Sequence, residues 1–233
     1  ISFGSVSIPF HEILDILSGN NSSKSSWDLI ILHFRLPKAI TAILVGSGLA
    51  IAGLLMQTLF RNPLAGPFVL GISSGASLGV ALLILGSGIF GGVLATIAFS
   101  SWGLAIASSI GAALVLLAVL VTATKVRNTM SILIIGLMFG TVTAAIISIL
   151  TFFSDAEKIQ QFVFWGFGSL GNLSWNEVLI FFIIYLIAVL NLFQIIKPLN
   201  AFLLGENYST SLGINIKKSR NIILLITSLL TGV

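Results

Sequence analysis

The sequence predicts an all-α, polytopic bundle of transmembrane helices, and three observations carry that expectation. Of 233 residues, 57% are hydrophobic and only 8% charged, where a soluble domain carries about 25% charged residues. Mean hydropathy is +1.13. The charges are also spaced like the ends of membrane crossings. There are 22 uncharged residues between Lys38 and Arg61, 63 between Arg61 and Lys125, 27 between Arg127 and Asp155, 18 between Lys158 and Glu177, and 19 between Glu177 and Lys197. A helix needs about 20 apolar residues to cross a hydrocarbon core about 30 Å thick. The 63-residue gap therefore holds two crossings and their connection, and most of the others hold one. A chain so short of charge cannot cover a water-facing surface, so the lipid membrane is its solvent.

The first residues are mixed. Ser7-Ile8-Pro9 reads as a helix start, since proline is tolerated in a first turn. Phe10, Ile13, Leu14 and Leu17 are expected on one face and His11, Glu12 and Asp15 on the other, with an end near Gly19 and the loop Asn20-Asn21-Ser22-Ser23 beyond. Such an amphipathic helix lies on a membrane surface rather than spanning it.

Span one is expected over 39–60. Ala42, Gly46, Ala50 and nearby Gly53 offer a small-residue stripe for close helix approach. Asn62 to Pro67 is a turn. Span two, over 68–85, is rich in Gly and Ser and is expected to be irregular near its start. A Gly-rich connection over 86–101 leads to span three over 102–124, closed by Lys125-Val126-Arg127-Asn128. Span four covers 131–153, a polar and aromatic stretch follows over 154–176, and span five runs over 177–196. The segment 197–220 is expected to hold two short helices, with Pro198 and Asn200 at a start, Gly205 as a break and Gly213 at an end. Span six begins near Asn221.

Alternating these spans places Arg61, Lys125, Arg127, Lys197, Lys217, Lys218 and Arg220 on one side, against Lys24, Arg35, Lys38 and Lys158 on the other. The more basic side is cytoplasmic. Cysteine is absent, which excludes disulfides and thiolate metal sites. The basic residues are scattered, so no nucleic-acid partner is expected. The sequence opens on Ile1 without an initiator Met or charged leader and closes inside an apolar run. It reads as part of a longer protein.

Four groups of residues carry a resemblance. They are Arg35-Leu36-Pro37-Lys38; the run from Leu44 to Gly53 with Gln57 and Arg61-Asn62-Pro63-Leu64-Ala65; Gly71-Ile72-Ser73-Ser74-Gly75-Ala76; and Phe164-Trp165-Gly166-Phe167-Gly168-Ser169-Leu170. With Leu204-Gly205-Glu206 and Ser211-Leu212-Gly213-Ile214, they resemble the FecCD permease family, in order and along essentially the whole chain. The resemblance implies a fold of the type II ABC importer permease kind. Measured against the family, the first helix and the C-terminal helices lie outside this sequence. Three positions depart from its pattern: Lys38 where Arg is usual, Gly66 where an acidic residue is frequent, and Ser209 where Ala is usual.

The resemblance further implies a multi-pass permease of the bacterial cytoplasmic (inner) membrane that imports iron–siderophore complexes, haem or cobalamin. It implies a homodimer, two copies of a cytoplasmic ATP-binding subunit and an extracytoplasmic substrate-binding protein. Residues 1–233 then form a single membrane domain, with 1–38 as the outer segment and entrance to the first span, and 197–220 as the ATPase-docking loop.

Arg35 and Lys38 form a basic outer patch for the binding protein, or interfacial anchors if they only hold the membrane surface. Leu204, Gly205, Glu206, Ser211, Leu212 and Gly213 form the ATPase-docking site, helped by exposed Phe202, Leu203, Tyr208 and Leu212. The resemblance implies that Asn62, Leu64, Thr129 and Met130 narrow a cytoplasmic gate; read alone, they are ordinary turns. Gly136, Gly140 and Thr143 line the pathway, or pack helices.

No catalytic residue, cofactor or metal is expected. His11 and His33 stand alone, without a partner at ligand spacing. Nothing matches a phosphate-binding loop, so ATP hydrolysis belongs to another subunit and the chain is not an enzyme. An ion-coupled secondary transporter is the rival reading, weakened by the lack of ionisable groups inside the expected spans. A membrane-embedded enzyme would need a buried nucleophile with a base, or metal ligands, and no such set is present.

Overall fold

In the computed structural model the described residues are all but 1–3, 5, 21, 88–99, 127, 128, 172 and 233. Among them the helices are α1 (Phe10–Leu17), α2 (Ser25–Leu29) leading into a π-helical turn (Ile30–Arg35), α3 (Leu36–Phe60), a 3-10 turn (Pro67–Leu70), α4 (Ile72–Ile84), α5 (Ser101–Lys125), α6 (Thr129–Phe152), α7 (Ala156–Gly166), α8 (Trp175–Leu204), α9 (Glu206–Ser211) and α10 (Ile216–Thr231). Four stretches are long and apolar enough to cross a membrane: Ser25–Phe60, Trp102–Lys125, Thr129–Phe152 and Trp175–Leu192. The chain divides into two compact units, Ile1–Ser47 with Ser169–Ile183, and Gly48–Gly168 with Ile184–Val233.

In the first unit α1 follows Pro9 as expected, but it turns another face inward. Ile13 and Ile16 are buried with Ile8 and Ile31, while Phe10, Leu14 and Leu17 are exposed. The reason is Glu12, which is itself buried. Its carboxylate accepts hydrogen bonds from the Ser23 backbone N–H at 3.0 Å and from the Ser23 hydroxyl, and so turns that side of the helix toward the following loop. These bonds, the hydroxyl's first, hold the Glu12 carboxyl below the ordinary carboxylate range, against the opposing effect of burial.

Span one starts earlier than expected. Helix continues from Ser25, through the π-turn, to Phe60. Pro37, buried just beyond the π-turn, interrupts its hydrogen bonding. In a π-turn the carbonyl of residue 32 looks to the N–H of residue 37, and proline has none. The indole Nε1 of Trp175 donates to that Leu32 carbonyl at 3.0 Å. Trp175 opens α8, whose start is fixed by a capping box: Ser174 N–H and hydroxyl donate to Glu177 Oε2 at 2.7 and 2.8 Å, and Glu177 N–H returns a 3.4 Å bond to the Ser174 hydroxyl.

The second unit is organised around α4. Gly75 and Gly79 cross Gly111 of α5 so closely that a Cβ on Gly79 would lie 2.0 Å from the Ala107 carbonyl oxygen. The expected irregular start of span two is real. The 3-10 turn and Gly71, at φ +71°, precede a helix of only 13 residues. This helix is short because it starts part-way along α6. A Cβ on Gly136 would meet the Val69 carbonyl oxygen at 2.2 Å, so the turn is buried against protein, as non-helical backbone at membrane depth must be. At its other end α4 packs Val80 to Leu85 against Ile159, Phe162 and Trp165 of α7. That helix occupies the stretch expected to be merely polar and aromatic.

Three other expectations change. Gly46 and Gly53 meet nothing within 4 Å in this chain, so the small-residue stripe of α3 packs no helix here. Pro198 does not start a helix; α8 runs through it to Leu204. The polar connection therefore shrinks from 197–220 to 205–215 and holds one short helix, α9. Arg127 and Asn128, expected to close span three, and most of the connection over 86–101 lie outside the described residues.

Two outcomes follow. Gly79→Ala forces a backbone clash and should cost about 1–3 kcal/mol, read as a lower unfolding temperature in detergent; Gly46→Ala, with open space around it, should leave that temperature unchanged. The Glu12–Ser23 bonds contribute most above the ordinary carboxyl value of 4.5 and are lost only as the pH falls below it, through the lowered folded-state value. Proteolysis of the 18–24 loop should therefore stay slow down to that pH and rise below it, whereas Glu12→Gln should be cut at one faster rate throughout.

Candidate functional site

One end of the second unit gathers the ends of α3, α5, α6, α8 and α10. α3 closes with Arg61 N–H donating to the Thr58 carbonyl at 3.3 Å and Asn62 N–H to that of Gln57 at 3.1 Å. This closure puts Arg61 at φ +49°, a left-handed conformation that costs a side-chain-bearing residue about 1–2 kcal/mol. Asn62 Oδ1 then accepts from Leu64 N–H at 2.9 Å, and the Gln57 amide donates to the Pro63 carbonyl at 3.1 Å. Asn62 thus does turn chemistry, and Leu64 stands out at the tip, 84% exposed.

From the other side, α8 ends at Gly205, whose φ of +110° and ψ of 159° are open in practice to glycine alone. The chain reverses there and α9 begins with Glu206. Ser209 is fully buried, its hydroxyl bonded to the Gly205 carbonyl at 2.9 Å, so the small residue at this position seats α9. Gly213, at φ +77°, ends the turn, and the Asn215 side chain caps α10 by accepting from Lys218 N–H at 3.0 Å. Leu203, Leu204, Tyr208 and Leu212 are exposed, and Ser211 and Gly213 with them. Phe202 is not: it is buried in the core, a correction to the expected apolar surface.

A cavity of about 580 Å³ lies between these ends, lined by Phe60, Arg61, Thr129, Met130, Gly205 and Glu206 among others. The Thr129 hydroxyl donates to Glu206 Oε1. Residues expected separately as gate and as docking loop therefore touch. Gly136, Gly140 and Thr143 sit elsewhere. Gly136 packs on the 3-10 turn, Gly140 lies near Ser74 of α4, and Thr143 is buried with its hydroxyl bonded to the Gly140 carbonyl at 2.8 Å. All three are on the packed side of α6, in keeping with the helix-packing alternative.

Arg220 was visible in the sequence only as a loop charge. Among the described residues it is the largest fully buried side chain, 1% exposed, and its guanidinium donates to the carbonyls of Ala123 at 2.5 Å and Val126 at 3.3 Å. The last carbonyls of a helix have no partner within it, and a cation suits that end. Helical spacing held the signal: Arg220, Ile223, Leu224 and Thr227 share one face, and all are buried.

In the first unit, Lys38 is exposed, but Arg35 is half-buried and its guanidinium donates to the Val6 carbonyl, close over Gly4. The two are thus unequal, one projecting and one holding the N-terminal segment. Among the described residues no three His, Cys, Asp or Glu side chains come together as a metal site.

Comparison with known proteins gives the family. The FecCD transport family model matches residues 1–233. A Helicobacter pylori permease protein of an iron chelatin transport system is 38% identical over 90% of this chain and 60% of its own length. The hemin transport system permease protein HmuU of Yersinia pestis is 32% identical over 99% of this chain and 66% of its own. The chain therefore spans less than two thirds of these relatives. A solved ABC transporter of metal-chelate type, in an inward-facing conformation, superposes with a TM-score of 0.81 at 27% identity, over 99% of this chain and 68% of that one. Its apolar helices are those of a multi-pass membrane protein, and with the family model matched from end to end this chain belongs to the FecCD transport family.

Proposed function

We propose that this chain is part of the membrane-spanning subunit of an ATP-driven importer in the cytoplasmic membrane, moving an iron–siderophore complex, with haem or cobalamin as the other cargo classes. Two copies form the path and expose it alternately to each side. Hydrolysis belongs to two separate ATP-binding subunits, and capture of cargo to a soluble binding protein outside.

The observation that carries this reading is one end of the second unit: the short helix α9 with Tyr208 exposed on it and Leu204 and Leu212 exposed at its two ends, beside a cavity lined by Thr129 and Met130. Exposed apolar residues on a polar connection make a protein socket, and here the socket adjoins residues suited to a gate. Leu64 and Met130 narrow the path, and Asn62 sets the turn that presents Leu64. Gly136, Gly140 and Thr143 serve by seating α6, whose other side, with Thr141 and Ser148 exposed, faces the cargo. The relatives are named as transport-system permeases and the solved neighbour as an ABC transporter, which favours an ABC permease over ion-coupled secondary transport. Arg220, a cation among packed helices, is committed to a helix end rather than to an ion path.

A Cβ at Gly205 would be strained by its backbone and would press on Arg61, 3.4 Å away. Gly205→Val in the full-length permease should therefore lower transport by an order of magnitude and abolish cargo-stimulated ATP hydrolysis. Undiminished stimulation in an assembled complex would move the docking site elsewhere.

On the outer face, Lys38→Glu should slow association of the binding protein a few-fold at low ionic strength, and the effect should fade with added salt. Arg35→Glu should in addition free the N-terminal segment to proteolysis. An unchanged association rate for Lys38→Glu would leave these residues as interfacial anchors.

A further inference from the structure

We propose that Glu206 is a positioning residue that ties the docking helix α9 to the gate helix α6, and that its carboxylate serves this tie rather than contact with the ATPase. The inference rests on the docking reading given above and deepens it.

Glu206 is the first residue of α9 and Thr129 the first of α6, 77 positions away in sequence. Their side chains meet through the hydrogen bond from the Thr129 hydroxyl to Oε1. Thr129 is buried and Glu206 only half-exposed, whereas Asn207, Tyr208, Thr210 and Ser211 face outward. The helix thus presents these four residues to a partner and turns its one charge inward, on the side of buried Ser209.

Beside Glu206, the buried N-cap Gly205 and buried Ser209 seat the same inward part of α9. The guanidinium of Arg220, for its part, grips the end of α5 at Ala123 and Val126. Displacing α9 therefore pulls first on Thr129, and Met130 beside it lines the same cavity. A push from the ATPase reaches the gate through one hydrogen bond to a charged group, the kind whose loss is most strongly felt.

The test uses the full-length permease with its ATPase and binding protein in proteoliposomes, measuring cargo moved per ATP hydrolysed. Thr129→Val removes the donor at nearly the same size and should lower that ratio about ten-fold; Thr129→Ser should restore it. Glu206→Gln, a milder change should Thr129→Val not fold, should lower it as well, and the double variant should be no worse than the worse single one. An unchanged ratio in either single variant, or additive losses, would overturn the tie.

The ATPase should co-purify with every variant. Its loss from Glu206→Gln alone would place the carboxylate in the subunit interface, overturning the tie and sparing the docking reading. Full assembly and coupling in Tyr208→Glu would instead overturn the docking reading itself.

Discussion

Every break in this chain's helices has to satisfy the backbone groups it frees, because neither lipid nor packed protein offers water to do so. The rest of the structure can be read as answers to that demand. The Leu32 carbonyl left over by Pro37 takes the Trp175 indole. The carbonyls at the end of α5 take Arg220. The 3-10 turn before α4 is pressed onto Gly136, and the start of α8 is closed by Ser174 and Glu177. In each case a residue distant in sequence or specialised in shape supplies what the helix ladder cannot.

These same breaks position the residues to which function is assigned. The π-turn ends at Arg35, and the α8–α9 break carries Gly205 and Glu206. The closure of α3 strains Arg61 and presents Leu64. Strain and irregular backbone persist where surrounding contacts hold them, and here those contacts are few, directional hydrogen bonds. Long regular helices give the scaffold; their interruptions hold the residues to which a coupling role is proposed.

Much of the fold was legible because apolar length and charge spacing are local properties. The uncharged runs over 128–154 and 178–196 are α6 and the apolar body of α8. What was hidden depends on contacts between distant segments. The inward face of α1 is chosen by Ser23 bonding Glu12, which helical periodicity alone cannot weigh. Pro198 reads as a breaker, yet α8 continues through it to Leu204. The glycines at 46 and 53 look like packing positions, while the contact is made by Gly75, Gly79 and Gly111. At the site, the family resemblance singled out Thr129 and Glu206 separately. Their meeting was not legible: nothing in the spacing of Thr129 and Glu206 announces a hydrogen bond across 77 positions, and Arg220 looks like any other loop cation until its face of α10 is traced.

The account's central claim is that α9 is where a separate ATP-binding subunit seats. The most direct measurement places a photo-activated cross-linker at Tyr208, exposed on α9, in the full-length protein within its native membrane, and identifies the adduct by mass spectrometry. The account predicts one dominant adduct, a nucleotide-binding subunit. Adducts with lipid alone, or with a protein lacking a nucleotide-binding fold, would contradict it.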